Sequence, residues 1–303
     1  MSLFTNLELS LPSPLQLLES DLLREKKVTF YVKREDLIHP IYGGNKWRKL
    51  KYNLIKANER GKKTILTFGG AYSNHILATA TIANALEFNT IGIIRGEETL
   101  PLNDVLSHAK KFGMQLHYVN RKTYRSKTNA TFLNKLEKKY GDFYMIPEGG
   151  SNNDALTGCK EIVDELMLQT NEKIDWICSP CGTGGTLAGL AISNVPSKML
   201  GIAVLKKATF LNCDVMQLIG DKKHSPWKIN YDFHFGGYAK FNDVLKSFIK
   251  EFDGLHGIEL EPIYSGKMFF ALMQLIELDW FPEKSTIVAL HTGGLKTAHN
   301  LKF

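Results

Sequence analysis

Ile174-Asp175-Trp176-Ile177-Cys178-Ser179-Pro180-Cys181-Gly182-Thr183-Gly184-Gly185-Thr186-Leu187-Ala188-Gly189-Leu190-Ala191 runs from a strand pattern through a glycine turn into a helix-compatible stretch. Ile174 to Ser179 is apolar without strict alternation, as in a strand buried on both faces. Glycines 182, 184 and 185 let backbone N–H groups converge on an anion, the helix start adds partial positive charge, and Thr183 and Thr186 add hydroxyl donors. The turn is a candidate phosphate cup, and by itself equally a tight structural turn. It lacks the Gly-Lys-Ser/Thr of a nucleotide loop. No acidic residue with a strand to carry it follows at the distance a dinucleotide fingerprint needs, so a nicotinamide oxidoreductase is weakly supported.

Outward from this unit the same alternation recurs. Val28 to Val32, Thr64 to Phe68, Thr90 to Ile94, Gln115 to Val119, Phe143 to Ile146, Gly201 to Leu205 and Thr286 to Leu290 read as strands between helical patterns. That pattern predicts an α/β fold. So many strands in 303 residues favour two sheets over one wide sheet, with Gly149-Gly150-Ser151-Asn152-Asn153 as a turn-rich boundary. The expected organisation is two-domain, each an open twisted, mostly parallel sheet flanked by helices. Residues 1–47 and 149–303 make the larger unit, and 48–148 a smaller inserted one.

Composition narrows the function classes. With 44% hydrophobic and 23% charged residues, the chain is an ordinary globular protein. No apolar run reaches the roughly eighteen residues of a membrane span, and residues 1–14 lack the order of a signal peptide, so a cytoplasmic protein without membrane partners is expected. The net charge of +7 is spread as pairs such as Lys62-Lys63 and Lys222-Lys223. Without a basic block or aromatic ladder, this favours small anionic ligands over nucleic acid. Cys178 and Cys181 spell C-x-x-C, a pattern of redox pairs and zinc half-sites. No second pair or histidine motif accompanies it, so free, partly buried thiols and no metal are expected.

Lys46 stands in Tyr42-Gly43-Gly44-Asn45-Lys46, where a glycine turn opens a helix whose buried stripe is predicted as Trp47, Leu50, Leu54 and Ile55. An amine there feels the positive end of the helix dipole, and burial adds desolvation. Both favour the neutral, nucleophilic form. Such an amine suits an imine with a carbonyl cofactor, of which pyridoxal phosphate is the commonest. The bland alternative is a solvated surface lysine. Gly69-Gly70-Ala71-Tyr72-Ser73-Asn74-His75 joins another strand to another helix, where Ser73 and Asn74 serve as N-caps or grip a carboxylate or phenolate-type oxygen. Tyr264 precedes a helix with an apolar face, usually a core position. His291-Thr292-Gly293-Gly294 closes a strand at its carboxyl end, where α/β sheets seat ligands.

In this order, Gly43 to Leu50, Gly70 to His75, Pro147 to Ser151, Gly182 to Thr186, Tyr264 to Lys267 and His291 to Gly294 resemble the 1-aminocyclopropane-1-carboxylate deaminase and D-cysteine desulfhydrase family. These are pyridoxal-phosphate enzymes of the tryptophan-synthase β-subunit fold (fold type II), and the resemblance spans nearly the whole chain. It implies that Lys46 holds pyridoxal 5'-phosphate covalently and that Gly182, Thr183, Gly184, Gly185 and Thr186 bind its phosphate. Asn74 would bond the ring's phenolic oxygen, and Ser265 would face the pyridine nitrogen. Ser73 would meet the substrate carboxylate or act beside it, and Tyr264 and Tyr238 would stand near the α- and β-carbons. A homodimer is the family's habit. Tyr72 replaces the glutamine usual before the Ser-Asn pair, and the stretch from Leu200 to Tyr238 is abbreviated. Ser265 is closer to the serine or threonine of the desulfhydrases than to the deaminases' glutamate. A hydroxyl at the ring nitrogen makes a weaker electron sink than a carboxylate. The expected reaction is therefore β-elimination from a small amino acid, D-cysteine first, to pyruvate, ammonia and sulfide. Deamination of the cyclopropane amino acid is the alternative within the enzyme class, and a non-catalytic phosphate-ligand binding protein the alternative outside it.

Overall fold

The computed structural model describes residues 3–5 and 7–294. Residues 295–303, assigned to the larger unit by sequence, lie outside them. The described strands are β1 (Leu15–Leu18), β2 (Thr29–Lys33), β3 (Thr64–Gly70), β4 (Asn89–Arg95), β5 (Met114–Val119), β6 (Tyr144–Ile146), β7 (Trp176–Cys181), β8 (Lys198–Ala203), β9 (Trp227–Asn230) and β10 (Thr286–Leu290). They form a six-stranded sheet, β1-β2-β10-β7-β8-β9, and a four-stranded sheet, β5-β4-β3-β6. Every pair is parallel except β1 with β2. The architecture is α/β, with helices on both faces of the larger sheet. Helices Asp243–His256 and Ser265–Glu277 cover one face, and Asn153–Gln169, Gly185–Ala191 and Leu211–Ile219 the other.

Each strand anticipated from the sequence is present, within a few residues at its ends. The additional strands, β1 and β9, are the edges of the larger sheet. Both are four residues long, and Leu17 of β1 is 49% exposed, so neither shows the continuous apolar run that marks a central strand. Cys178 and Cys181 lie an odd number of residues apart on β7 and therefore face opposite sides of the sheet. Cys178 packs in the core that holds Phe269, and Cys181 in the one that holds Leu187. Both are free and buried, as is Cys159, while Cys213 is exposed. The C-x-x-C spacing therefore makes neither a redox pair nor half a zinc site. No cluster of His, Cys, Asp or Glu suited to a metal occurs among the described residues. No helix among them is long and apolar enough to cross a membrane.

The helix Asn45–Glu59 runs through position 48 and carries Lys46 into the space between the sheets. Trp47, Leu50 and Leu54 form its buried stripe as predicted, but Ile55 is only partly covered and Ala57 completes the face. It crosses the helix Asn153–Gln169 so closely that a β-carbon at Gly158 would lie 1.8 Å from the Arg48 carbonyl oxygen. Beneath the crossing, Arg48 donates to Glu35 (2.9 Å from both Nε and Nη2) and to Glu165 (2.8 Å from Nη1 and Nη2). Lys33 Nζ adds a 2.7 Å bond to Glu165. Arg48, Glu35 and Lys33 are almost wholly buried, so this ion cluster anchors the helix one turn below its start.

Candidate active site

A cleft of about 420 Å³ lies between the carboxyl ends of the strands of both sheets. Lys46, Ser73, Asn74, Tyr238, Tyr264 and Gly182 to Thr186 all line it. Residues scattered from position 46 to 264 thus converge on one space. The helix of Lys46 begins abruptly because Gly44 adopts φ 81° with its α-carbon pressed against the Thr292 carbonyl, which a β-carbon would meet at 2.1 Å.

Lys46 Nζ donates to Asn45 Oδ1 at 2.8 Å, and Asn45 Nδ2 donates to Thr186 Oγ1 at 2.9 Å. The amine is thereby tied to the glycine cup across the cleft. Burial, and then the charge of Lys49, push the Lys46 amine down from 10.5 to about 7, which leaves a large neutral fraction near neutral pH.

The cup also contains a residue to which sequence reasoning assigned no role. Lys49 Nζ donates to Gly149 O at 3.2 Å and to Ser151 Oγ at 3.3 Å. Ser151 Oγ is in turn 2.7 Å from Thr183 Oγ1. A β-carbon on Gly185 would fall 3.0 Å from the Lys49 amine and 2.4 Å from Ser151 Oγ, so only glycine leaves this cradle open. Its signal was available: Lys49 lies three residues beyond Lys46, hence on the same helical face. Loop amides, hydroxyls and an ammonium group together suit a phosphate dianion.

On the opposite side, Ser73 is the N-cap of the helix Asn74–Ala85, accepting from Ile76 N at 3.4 Å. Ser73 is thus an N-cap and also lines the cleft. His75 is buried, and burial, followed by the charges of Lys46 and Lys49, lowers its proton affinity well below the ordinary value. Thr67 Oγ1 spends its one proton on Ile146 O (2.8 Å), so the 2.7 Å contact with His75 must be donated by Nε2–H. Nδ1, which has no partner, is then a bare acceptor on a residue that lines the cleft.

Tyr238 and Tyr264 meet edge to face, with ring centroids 6.1 Å apart. Burial first, and then Tyr238, raises the Tyr264 hydroxyl well above its usual value; burial likewise raises Tyr238. Both remain phenols, able to donate, at neutral pH. Lys267, behind them, donates to His234 O at 2.9 Å and Gly237 O at 2.7 Å, stapling the loop that presents Tyr238.

Ser265 does not reach the cleft surface. It is wholly buried, and its Oγ accepts from Glu261 N at 3.0 Å and donates to Glu261 Oε1 at 3.1 Å. Glu261 also takes the backbone N–H groups of Ile263, Tyr264 and Ser265 at 2.5–3.1 Å. Burial raises its carboxyl against the lowering effect of these bonds. The hydroxyl expected at a ring nitrogen is thus backed by a carboxylate.

This arrangement agrees with the comparisons. The model of the family described as pyridoxal-phosphate dependent enzyme matches residues 9–293. The chain belongs to this family. Within it, a putative 1-aminocyclopropane-1-carboxylate deaminase of Pyrococcus horikoshii is 31% identical over 93% of this chain and 89% of its own length. The mitochondrial bifunctional D-cysteine desulfhydrase/1-aminocyclopropane-1-carboxylate deaminase of Arabidopsis thaliana is 32% identical over 88% of this chain and 72% of that protein. Among solved structures, an ACC deaminase homologue superposes with a TM-score of 0.82 at 31% identity, covering 96% of this chain and 92% of the other. A tomato threonine deaminase, at 18% identity and a TM-score of 0.65, shares the fold. In this pyridoxal-phosphate dependent family member the cleft offers an amine of depressed proton affinity and a glycine cradle, groups whose chemistry suits an aldehyde and a phosphate.

Proposed function

We propose that this pyridoxal-phosphate enzyme eliminates a β-substituent from a small amino acid, D-cysteine being the leading substrate, to give pyruvate, ammonia and sulfide. The observation that carries the reading is Lys46, whose amine titrates at about 7 and is bonded through Asn45 to the glycine cup. Pyridoxal phosphate, when bound, supplies an aldehyde for that amine and a conjugated ring that accepts the electron pair released at the substrate's α-carbon. Lys49, Ser151 and Gly182 to Thr186 would hold its phosphate, and Asn74 would bond its phenolic oxygen. With the cofactor in place, Lys46 Nζ would be the base for the substrate's α-proton. Ser73 and the N–H groups at the start of its helix seat the substrate carboxylate. Tyr264 or Tyr238, both phenols, donates the proton that the departing sulfur takes. The walls made by Tyr238 and Tyr264 limit water at the α-carbon.

One observation keeps the cyclopropane amino acid as a second reading. The Glu261 carboxylate behind Ser265 restores part of the negative charge that opening a three-membered ring demands. The assembly we assign, a homodimer, follows the family's habit, and size-exclusion chromatography tests it. Assays of 2-oxo acid (pyruvate from the three-carbon substrates, 2-oxobutanoate from the cyclopropane) and of sulfide with D-cysteine, L-cysteine, D-serine and 1-aminocyclopropane-1-carboxylate test the chemistry. Absence of sulfide from D-cysteine defeats the leading reading, and 2-oxobutanoate from the cyclopropane with no product from the others establishes the second. Borohydride trapping and peptide mapping should place the cofactor on Lys46. A protein that takes up no pyridoxal phosphate would instead be a phosphate-ligand binding module.

A further inference from the structure

Arg95 ends β4, directly beside Gly70 at the end of β3, its register partner. Its guanidinium lies over Gly70, whose absent β-carbon would sit 3.4 Å from Nη2. Gly70 O accepts the Ser73 N–H at 3.1 Å, so the guanidinium stands one turn from the seat assigned to the substrate carboxylate. The Tyr124 ring supports it, with Cζ 5.7 Å from the centroid.

The other cations of the cleft are committed. Lys46 is the imine-forming amine. Lys49 belongs to the glycine cradle. Lys127, on the same Tyr124 ring at 5.2 Å, is paired with Glu148 at 3.2 Å. That pair also occupies the nearby acid. Arg95 therefore lines the cleft with no carboxylate among the described residues bonded to it. An α-amino acid brings one carboxylate, which the Ser73 helix start receives, and a planar fork of donors remains beside it.

We infer that Arg95 is a specificity-determining residue that binds an anionic oxygen group on the substrate's side chain, beyond the β-carbon. This rests on the amino-acid reading proposed above. Beyond D-cysteine, the enzyme accordingly accepts amino acids whose β-substituent carries a carboxylate, sulfo or phospho group, and binds them more tightly than neutral ones of the same size.

The test uses the cofactor-loaded full chain and ligands that differ in charge but hardly in shape. Dissociation constants of D-aspartate and D-asparagine are measured by titrating the visible band of the cofactor, in wild type, Arg95→Met and Arg95→Lys. The expected result is at least tenfold tighter binding of aspartate by wild type, a ratio near one in Arg95→Met, and partial recovery in Arg95→Lys. The ratio, unlike either constant alone, is insensitive to a general loss of structure. Equal weakening of both ligands in Arg95→Met would put the guanidinium on the α-carboxylate and overturn the inference. So would a wild type that does not distinguish the pair. If the protein takes up cofactor but no amino acid perturbs its band, the amino-acid reading itself fails and this inference falls with it.

Discussion

The depressed proton affinity of Lys46 can be read directly in the cofactor-free protein. An ordinary lysine titrates at 10.5, and burial beside Lys49 brings Lys46 to about 7. At pH 8 an ordinary side chain is then neutral in roughly one molecule in 300, and Lys46 in about nine of ten. The corresponding excess in nucleophilic amine is of order several hundredfold. Competitive acetylation with a trace of acetic anhydride across pH 5–10, quantified for each lysine peptide by mass spectrometry, measures it. The Lys46 peptide should reach half its maximal labelling near pH 7 and fall about tenfold per unit below that, because protonation removes the lone pair. Free Nα-acetyl-lysine amide added as an internal standard should still be rising at pH 10. Lys49→Met removes the like charge, so its Lys46 midpoint should move upward. A wild-type midpoint above about pH 9, or one that moves downward in Lys49→Met, would refute the account of how the amine is activated.

Arg48→Met leaves Glu35 buried without its cation, so urea denaturation should show a loss of about 3–5 kcal/mol, and Glu35→Gln in the same chain should restore more than half of it. Gly44→Ala forces an L side chain into φ 81° against the Thr292 carbonyl; cofactor affinity, followed by absorbance, should fall more than tenfold while far-ultraviolet circular dichroism changes little. Lys267→Met frees the loop carrying Tyr238 from its bonds to Lys267, and steady-state kinetics with D-cysteine should show kcat lowered by roughly tenfold, with covalent cofactor loading kept.

The legible part of this protein is what neighbouring residues encode together. Glycine turns between strand and helix patterns are local, and Gly182 to Thr186, Ser73-Asn74 and Lys46 line the cleft. Their partners are encoded nowhere near them. Asn45 reaches Thr186 across 141 positions, Lys49 reaches Ser151 across 102, and Arg48 reaches Glu165 across 117. Each resembles a solvated polar residue until tertiary contacts supply its acceptor. Ser265 shows the converse. The motif was visible, but the bond its hydroxyl makes to the carboxylate four residues upstream was not, because only the tight turn at the start of its helix folds Glu261 back onto it. Arg95 ends a strand, where α/β sheets gather ligand-binding groups, and position alone could have marked it.

Lys46 and Lys49 are best understood as a pair. Like charges three residues apart on one helix face destabilise each other, and burial compounds the cost, so at neutral pH one of the two is expected to give up its proton. Lys49 is held by a carbonyl and a hydroxyl, both acceptors that favour its charged form. Lys46 has one amide oxygen, shared through Asn45 with the cup. The proton therefore leaves Lys46, and the molecule keeps a cation where a phosphate would lie and a neutral amine where an aldehyde would lie. A phosphate dianion bound at Lys49 would weaken the repulsion and raise Lys46 again. Inorganic phosphate added to the cofactor-free protein should accordingly shift the Lys46 labelling midpoint upward in the wild type, and much less in Lys49→Met. If phosphate leaves the wild-type midpoint in place, the two lysines act independently and the division of labour between them is wrong.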